Sequence, residues 1–333
     1  MIPRDRVINA ILGKEVDRTP AASVTQTATV EQMESVKSYW PEAHLNPEKM
    51  ANLSMAFHKE TGLESARVPF DLTVLAESFG CTVDMGKVNI QPSIRKDGHI
   101  SADEIERLDV PEELLQGGRI PTVLKAVEIL KDTVGDKLPI LAGYEGPITL
   151  AGHLLGMEKF MMWFKKKPEN IGPLLNVTAK ACREYGNALY EAGADVVVPC
   201  DPTASPEALS PKDFKKHLKP ALSDLAENLE GTKVLHICGN ITRILNDLKE
   251  IPFDALSIEE KVDLSVAKKI LGEDLRIVGN ISPVNTLLLG TPKEVKEECI
   301  KALKCGVDLL APGCGVAPET PTRNLMAMAD AAR

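Results

Sequence analysis

The sequence predicts an α/β fold, a (β/α)8 TIM barrel, on three observations. Eight short β-branched or apolar runs recur along the 333 residues, each leading through a polar residue into a helical stretch. Most of these runs lack apolar/polar alternation, as parallel strands covered on both faces do. No glycine-rich phosphate loop follows an early run, although a doubly wound open sheet, the competing architecture, would usually carry one. Eight strand–helix units in a chain of this length fit one closed barrel, so residues 1–333 are expected to form a single domain.

The elements follow in order. "MIPRDRVINAILG" (1–13) is expected to be an extra N-terminal helix capping the barrel floor. The strand runs are "AASVT" (21–25), "SARVPF" (65–70), "PILAGYEG" (139–146), "DVVVPCD" (195–201), "KVLHICG" (233–239), "DALSIEE" (254–260), "RIVGNIS" (276–282) and "DLLAPGCG" (308–315). Between them, "PEKMANLSMAFHKETG" (47–62) reads as a helix stopped by Gly62, a residue suited to the position after a helix. Segment 120–136 has apolar residues at helical spacing, and 168–193 starts at a proline and stops at a glycine. Segment 205–231 is expected to be two helices, because Pro211 and Pro220 interrupt it. Thr291-Pro292 opens a helix that closes at Gly306. One region departs from the pattern: 80–100 alternates apolar and polar residues, with Gly86 and Asp97-Gly98 as turn signals, and predicts a β-hairpin inserted after the second strand.

Composition narrows the function. A net charge of −9 without any Lys/Arg block excludes nucleic acid as a partner. The first twenty residues carry charges throughout, with no apolar core of a signal peptide. No stretch approaches the roughly 20 apolar residues that span a bilayer, so a soluble cytoplasmic protein without membrane contact is expected. Seven cysteines, irregularly spaced, argue against a disulfide framework.

In a barrel of this class function belongs to the C-terminal ends of the strands. There the runs place Thr25, Gln26, Asp71, Tyr144, Glu145, Cys200, Asp201, His236, Cys238, Glu259, Glu260, Asn280, Ser282 and Cys314. Strand ends are polar for solvation alone, but Cys and His are not the usual solvent-facing choices. His236 and Cys238 stand two apart in "VLHICGN" and so share one face of a strand. They are either two buried side chains or two ligands of a metal ion. Cys314, flanked by Gly313 and Gly315 in the last run, offers a third donor that the backbone can aim inward. Three protein ligands with a fourth position free describe a catalytic zinc site rather than a structural one. Cys81, Cys182, Cys299 and Cys305 are expected to be core filler, with Cys200 undecided at a strand end. His44, His58, His99, His153 and His217 are expected on the surface or in packing.

Six segments, "TQTATVEQME" (25–34), "YWPEAH" (39–44), "VPFDLTVLAESFGC" (68–81), "GRIPTVLKAV" (118–127), "VLHICGN" (234–240) and "LLAPGCGVAPETP" (309–321), occur in an order that resembles the methylcobamide:coenzyme M methyltransferases of methanogenic archaea. The wider family includes uroporphyrinogen decarboxylase, a TIM barrel. The resemblance implies a Zn2+ ion held by His236, Cys238 and Cys314, with coenzyme M (2-mercaptoethanesulfonate) as the thiol substrate. The methyl group would come from a methylcobamide, a methyl-Co(III) corrinoid presented by a separate partner protein. "EGP" (145–147) and "LSIEEK" (256–261) resemble the methanol-linked branch. Within this frame Glu145, Asp201 and Glu259 could orient His236 or take the thiol proton, or simply solvate the rim. Gln26 and Asn240 could hydrogen-bond the sulfonate. Two other functions compete. A porphyrinogen decarboxylase resembles enzymes with an Arg-rich segment after the first strand, where this chain reads "TQTATVEQM". A zinc methyltransferase for another thiol, such as homocysteine, commonly carries adjacent cysteines, where this chain has "PGCGVA".

Overall fold

A computed structural model describes residues 1–95 and 100–333. Seven parallel strands form one sheet: β1 (Ala66–Val68), β4 (Ile140–Glu145), β5 (Val196–Cys200), β6 (Thr232–His236), β7 (Ala255–Ile258), β8 (Arg276–Ile281) and β9 (Leu309–Pro312), in that spatial order. The run at 21–25 closes the ring. Ala22 N donates to Leu310 O (3.0 Å) and Leu310 N to Pro20 O (3.0 Å) on one side, and Glu64 N donates to Ala21 O (2.7 Å) on the other. All eight predicted runs therefore line the barrel, the first as a short bridge rather than a full strand.

The lack of alternation has the expected cause. Every residue of β4, β5, β7 and β9 is buried, one face against the helices and the other inside the barrel. The interior holds Ala22, Val24, Leu141, Val196, Val198, Cys200, Val234, Ala255, Val278, Leu309 and Ala311. The helix Pro3–Ile11 plugs the floor, with Val7 and Ile11 joining that cluster.

The helix Pro47–Thr61 ends on Gly62 at φ +77°. Ile120–Val134, Ile171–Glu191 and Pro292–Lys304 occupy the other predicted windows, the last opened by a reciprocal Thr291/Glu294 cap. Segment 205–231 corrects the expectation of two helices. Pro211 opens a helix (Pro211–Asp213) that runs through a widened turn (Phe214–Leu218) into Lys219–Asn228 without a break. Pro220 follows that widened turn, a known way of absorbing a proline inside a helix.

The inserted hairpin pairs β2 (Val83–Asp84) antiparallel with β3 (Ser93–Ile94). Its tip closes through Lys87 and Ile90, which exchange N–H···O bonds of 2.9 and 3.0 Å, and Gly86 takes φ +69°. The second expected turn, Asp97-Gly98, and His99 lie outside the described residues. Among the described residues, no helix is long and apolar enough to cross a membrane.

Candidate metal centre at the barrel mouth

β6 ends at His236, and the chain then turns at Gly239, whose φ of +79° is a conformation that suits glycine. This brings Cys238 back over the mouth, where its Sγ lies 3.2 Å from His236 Nε2. Cys314 follows β9 and places its Sγ 3.4 Å from that of Cys238. One donor atom from each of the three side chains lies within 4.8 Å of the others. Gly313 and Gly315 serve close approach rather than a sharp turn. A Cβ on the first would sit 3.1 Å from the Glu259 Cα, and one on the second 3.1 Å from the Gln26 Oε1. Two further bonds fix the loop: Thr25 Oγ1 donates to Cys314 O (2.8 Å) and Val316 N to Gln26 O (2.8 Å).

The donor set fits a zinc ion. Zn–N near 2.0–2.1 Å and Zn–S near 2.3 Å give tetrahedral edges of about 3.6–3.8 Å, within about half an ångström of the two contacts that Cys238 makes, 3.2 and 3.4 Å. The two sulfurs share one hydrogen bond: the bond to Cys314, with burial, pushes the Cys238 thiol up. The same bond, joined by His236, holds Cys314 well below the ordinary thiol range against the opposing effect of burial. A divalent cation bound here would take the place of the shared proton, because thiolates rather than thiols are metal ligands. On its far side, His236 Nδ1 sits 3.0 Å from Ser257 Oγ on β7. A bond there orients the ring with Nε2 toward the sulfurs. Sequence patterns missed Ser257. Its only signal is the register pairing of His236 with Ser257 across β6 and β7, which needs the folded sheet.

The three donors open into a cavity of about 490 Å³ shared by Gln26, Leu72, Asn89, Gln91, Pro202 and the loop 315–318. Asn89 and Gln91 come from the inserted hairpin, which therefore folds over the mouth. Asn89 Nδ2 donates to Glu319 Oε1 (3.0 Å), tying the hairpin to the loop after β9. Neither residue stood out in the sequence, because nothing local in a hairpin says where it folds back.

The other predicted site residues scatter. Gln26 lines the cavity, but Asn240 does not: it is exposed, its N donates to Glu207 Oε1 and its Oδ1 accepts from Thr242 N. Glu145 is fully buried, and its Oε1 accepts from Ala76 N (2.8 Å) in the short helix Val74–Ser78. Burial pushes its carboxyl up to about 7, against the pull of that N–H. Asp201, also fully buried, accepts from Ile148 N (3.3 Å) and Thr149 N (2.6 Å) at the start of the helix Pro147–Leu155. Burial likewise raises it, to about 6. Glu259 alone of the three carboxylates stays near the thiols. Burial raises its carboxyl and the nearby Cys314 raises it further, while the Gly239 N–H lowers it.

Comparison with known proteins follows the same lines. The family profile described as uroporphyrinogen decarboxylase matches residues 2–333. The chain is 44% identical over 326 residues to the methylcobamide:CoM methyltransferase MtaA of Methanosarcina barkeri, covering 98% of this chain and 96% of that protein. It is 39% identical over 334 residues to the methylcobamide:CoM methyltransferase MtbA of Methanosarcina acetivorans, covering 99% and 97%. A solved methyltransferase from Methanosarcina mazei superposes with a TM-score of 0.97 at 44% identity, covering 100% of this chain and 98% of that one.

Proposed function

The chain belongs to the uroporphyrinogen decarboxylase family and, within it, to the methylcobamide:CoM methyltransferases, and we propose that it transfers a methyl group from a methyl-Co(III) corrinoid protein to the thiol of coenzyme M. The observation that carries this reading is the convergence of His236 Nε2, Cys238 Sγ and Cys314 Sγ within 4.8 Å at an open cavity. These residues would hold a zinc ion, which would supply a Lewis acid that favours the deprotonated thiol. The substrate thiol gives up its proton. Its sulfur then forms the S–CH3 bond, while the pair of the broken Co–CH3 bond stays with cobalt as Co(I).

The residues of this chain prepare that step. His236 and the two sulfurs keep the centre electron-rich, so that the thiol sulfur retains its nucleophilicity. Ser257 fixes the His236 ring. Glu259, whose carboxyl burial and the nearby Cys314 push up from the ordinary carboxylate range, accepts the thiol proton in this reading. Gln26, facing the cavity, donates to the sulfonate. The segments "EGP" and "LSIEEK" support methanol as the origin of the methyl group.

Metal analysis of the purified protein, followed by an assay with free methylcobalamin and coenzyme M, tests the reading. About one zinc per chain is expected, lost in both Cys238→Ala and Cys314→Ala together with the activity. A metal-free protein that decarboxylates a porphyrinogen would end it.

A further inference from the structure

A charged side chain stands fully buried inside the barrel. Arg67 of β1 pairs in register with Leu141 of β4, an interior residue, and therefore faces inward. Its Nη1 donates to Pro69 O; Nε and Nη2 meet no hydrogen-bond geometry, and the Cys200 thiol is the polar group that acts on them most. Among the described residues no carboxylate lies within ion-pair distance of it. Asp71, the acid that acts on it electrostatically, is already held by Arg119 (2.8 Å) and His44 (3.2 Å). Cys200 is no counter-ion either: it is a thiol that donates to Val198 O (3.5 Å).

The fold makes room for this charge. On β4 the next inward position toward the mouth is Gly143, where a Cβ would collide with Arg67 Nη2. Above it, Cys200 pairs in register with His236, and the Cys200 thiol is near enough to Cys314 to feel its charge. The guanidinium thus sits one layer beneath the three donors. Burying an uncompensated cation is strongly unfavourable, and an orphaned buried donor calls for a partner or a role.

Resting on the function proposed above, we propose that Arg67 is a positioning residue whose fixed positive charge beneath His236, Cys238 and Cys314 holds the substrate thiol as its thiolate. A divalent ion, two thiolates and a neutral imidazole sum to zero charge. An incoming thiolate makes the centre −1, and Arg67 balances it. A neutral ligand gains nothing from this cation, so the residue selects for the deprotonated sulfur.

The test measures binding of coenzyme M to the zinc-loaded protein by calorimetry across pH, with metal content checked for each variant. Arg67→Met is expected to keep its zinc. Its pH midpoint for thiol binding should rise by about one unit, with affinity about tenfold weaker at neutral pH. Arg67→Lys should recover most of both. Gly143→Ala, which keeps the charge but pushes it aside, should show a smaller shift of the same sign and decides the matter if Arg67→Met does not fold. 2-Mercaptoethanol, a thiol without a sulfonate, should show the same midpoint shift. A shift confined to coenzyme M and independent of pH would place Arg67 on the sulfonate and overturn the proposal, as would variants that match the wild type. A wild-type protein that binds neither zinc nor thiol would instead overturn the functional reading.

Discussion

Two stretches of the barrel rim carry reactive side chains, and they are used in opposite ways. Across β6 and β9, His236, Cys238 and Cys314 turn toward one another and toward an open cavity. Across β4 and β5, Glu145 and Asp201 are fully sealed: Glu145 Oε1 accepts from Ala76 N and the two Asp201 oxygens from Ile148 N and Thr149 N, while Glu145 Oε2 is buried away from the cavity without a partner. A buried carboxylate at the start of a helix satisfies donors that the helix itself leaves open. Position at a strand end makes a residue a candidate. What its polar atoms already bind decides whether it is free to act.

The largest effect should come from altering the charge of the β6–β9 side. Cys238→His keeps three ligands but removes a thiolate, so methyl transfer at matched zinc content should fall by about a hundredfold. An unchanged rate would mean that donor charge is not what distinguishes this side. Ser257→Ala should act more gently. It frees His236 Nδ1 and should weaken zinc binding about tenfold in a chelator competition, with the fold intact; an unchanged affinity would remove Ser257 from the centre.

The β4 side should respond in stability rather than in rate. Burial raises the Glu145 carboxyl to about 7, so the folded state binds its proton more tightly than the unfolded state. Stability then falls as pH rises from about 4.5 to 7 and stays lowered above that. Glu145→Gln keeps an acceptor for Ala76 N and carries no charge. It should be more stable than the wild type by about 3 kcal/mol at pH 8 and no more stable at pH 4, measured by urea unfolding. A fall in methyl-transfer rate without that stability gain would move Glu145 to the active side and erase the contrast.

Much of the molecule was legible along the chain. Eight apolar runs separated by amphipathic segments sufficed for the barrel, because covering a strand on both faces leaves a local, non-alternating signature. The floor helix and the inserted hairpin also rest on local spacing; His236 and Cys238 do meet, but through the turn that follows β6 rather than along one face of a strand. Proline signals were less dependable: Pro220 was absorbed beside a widened turn that the surrounding packing tolerates.

Tertiary structure alone decided the rest. Ser257 meets His236 through the register of two strands, and Asn89 and Gln91 reach the cavity only because the hairpin folds back. Arg67 is isolated in the interior because Gly143, on a neighbouring strand, leaves space for it. The sequence by itself determined which residues stand at the barrel mouth, since periodicity and chain order are properties of neighbours. Which of them face one another, and which are already satisfied, depends on register and closure. Those bring together side chains far apart in sequence, and no local pattern encodes them.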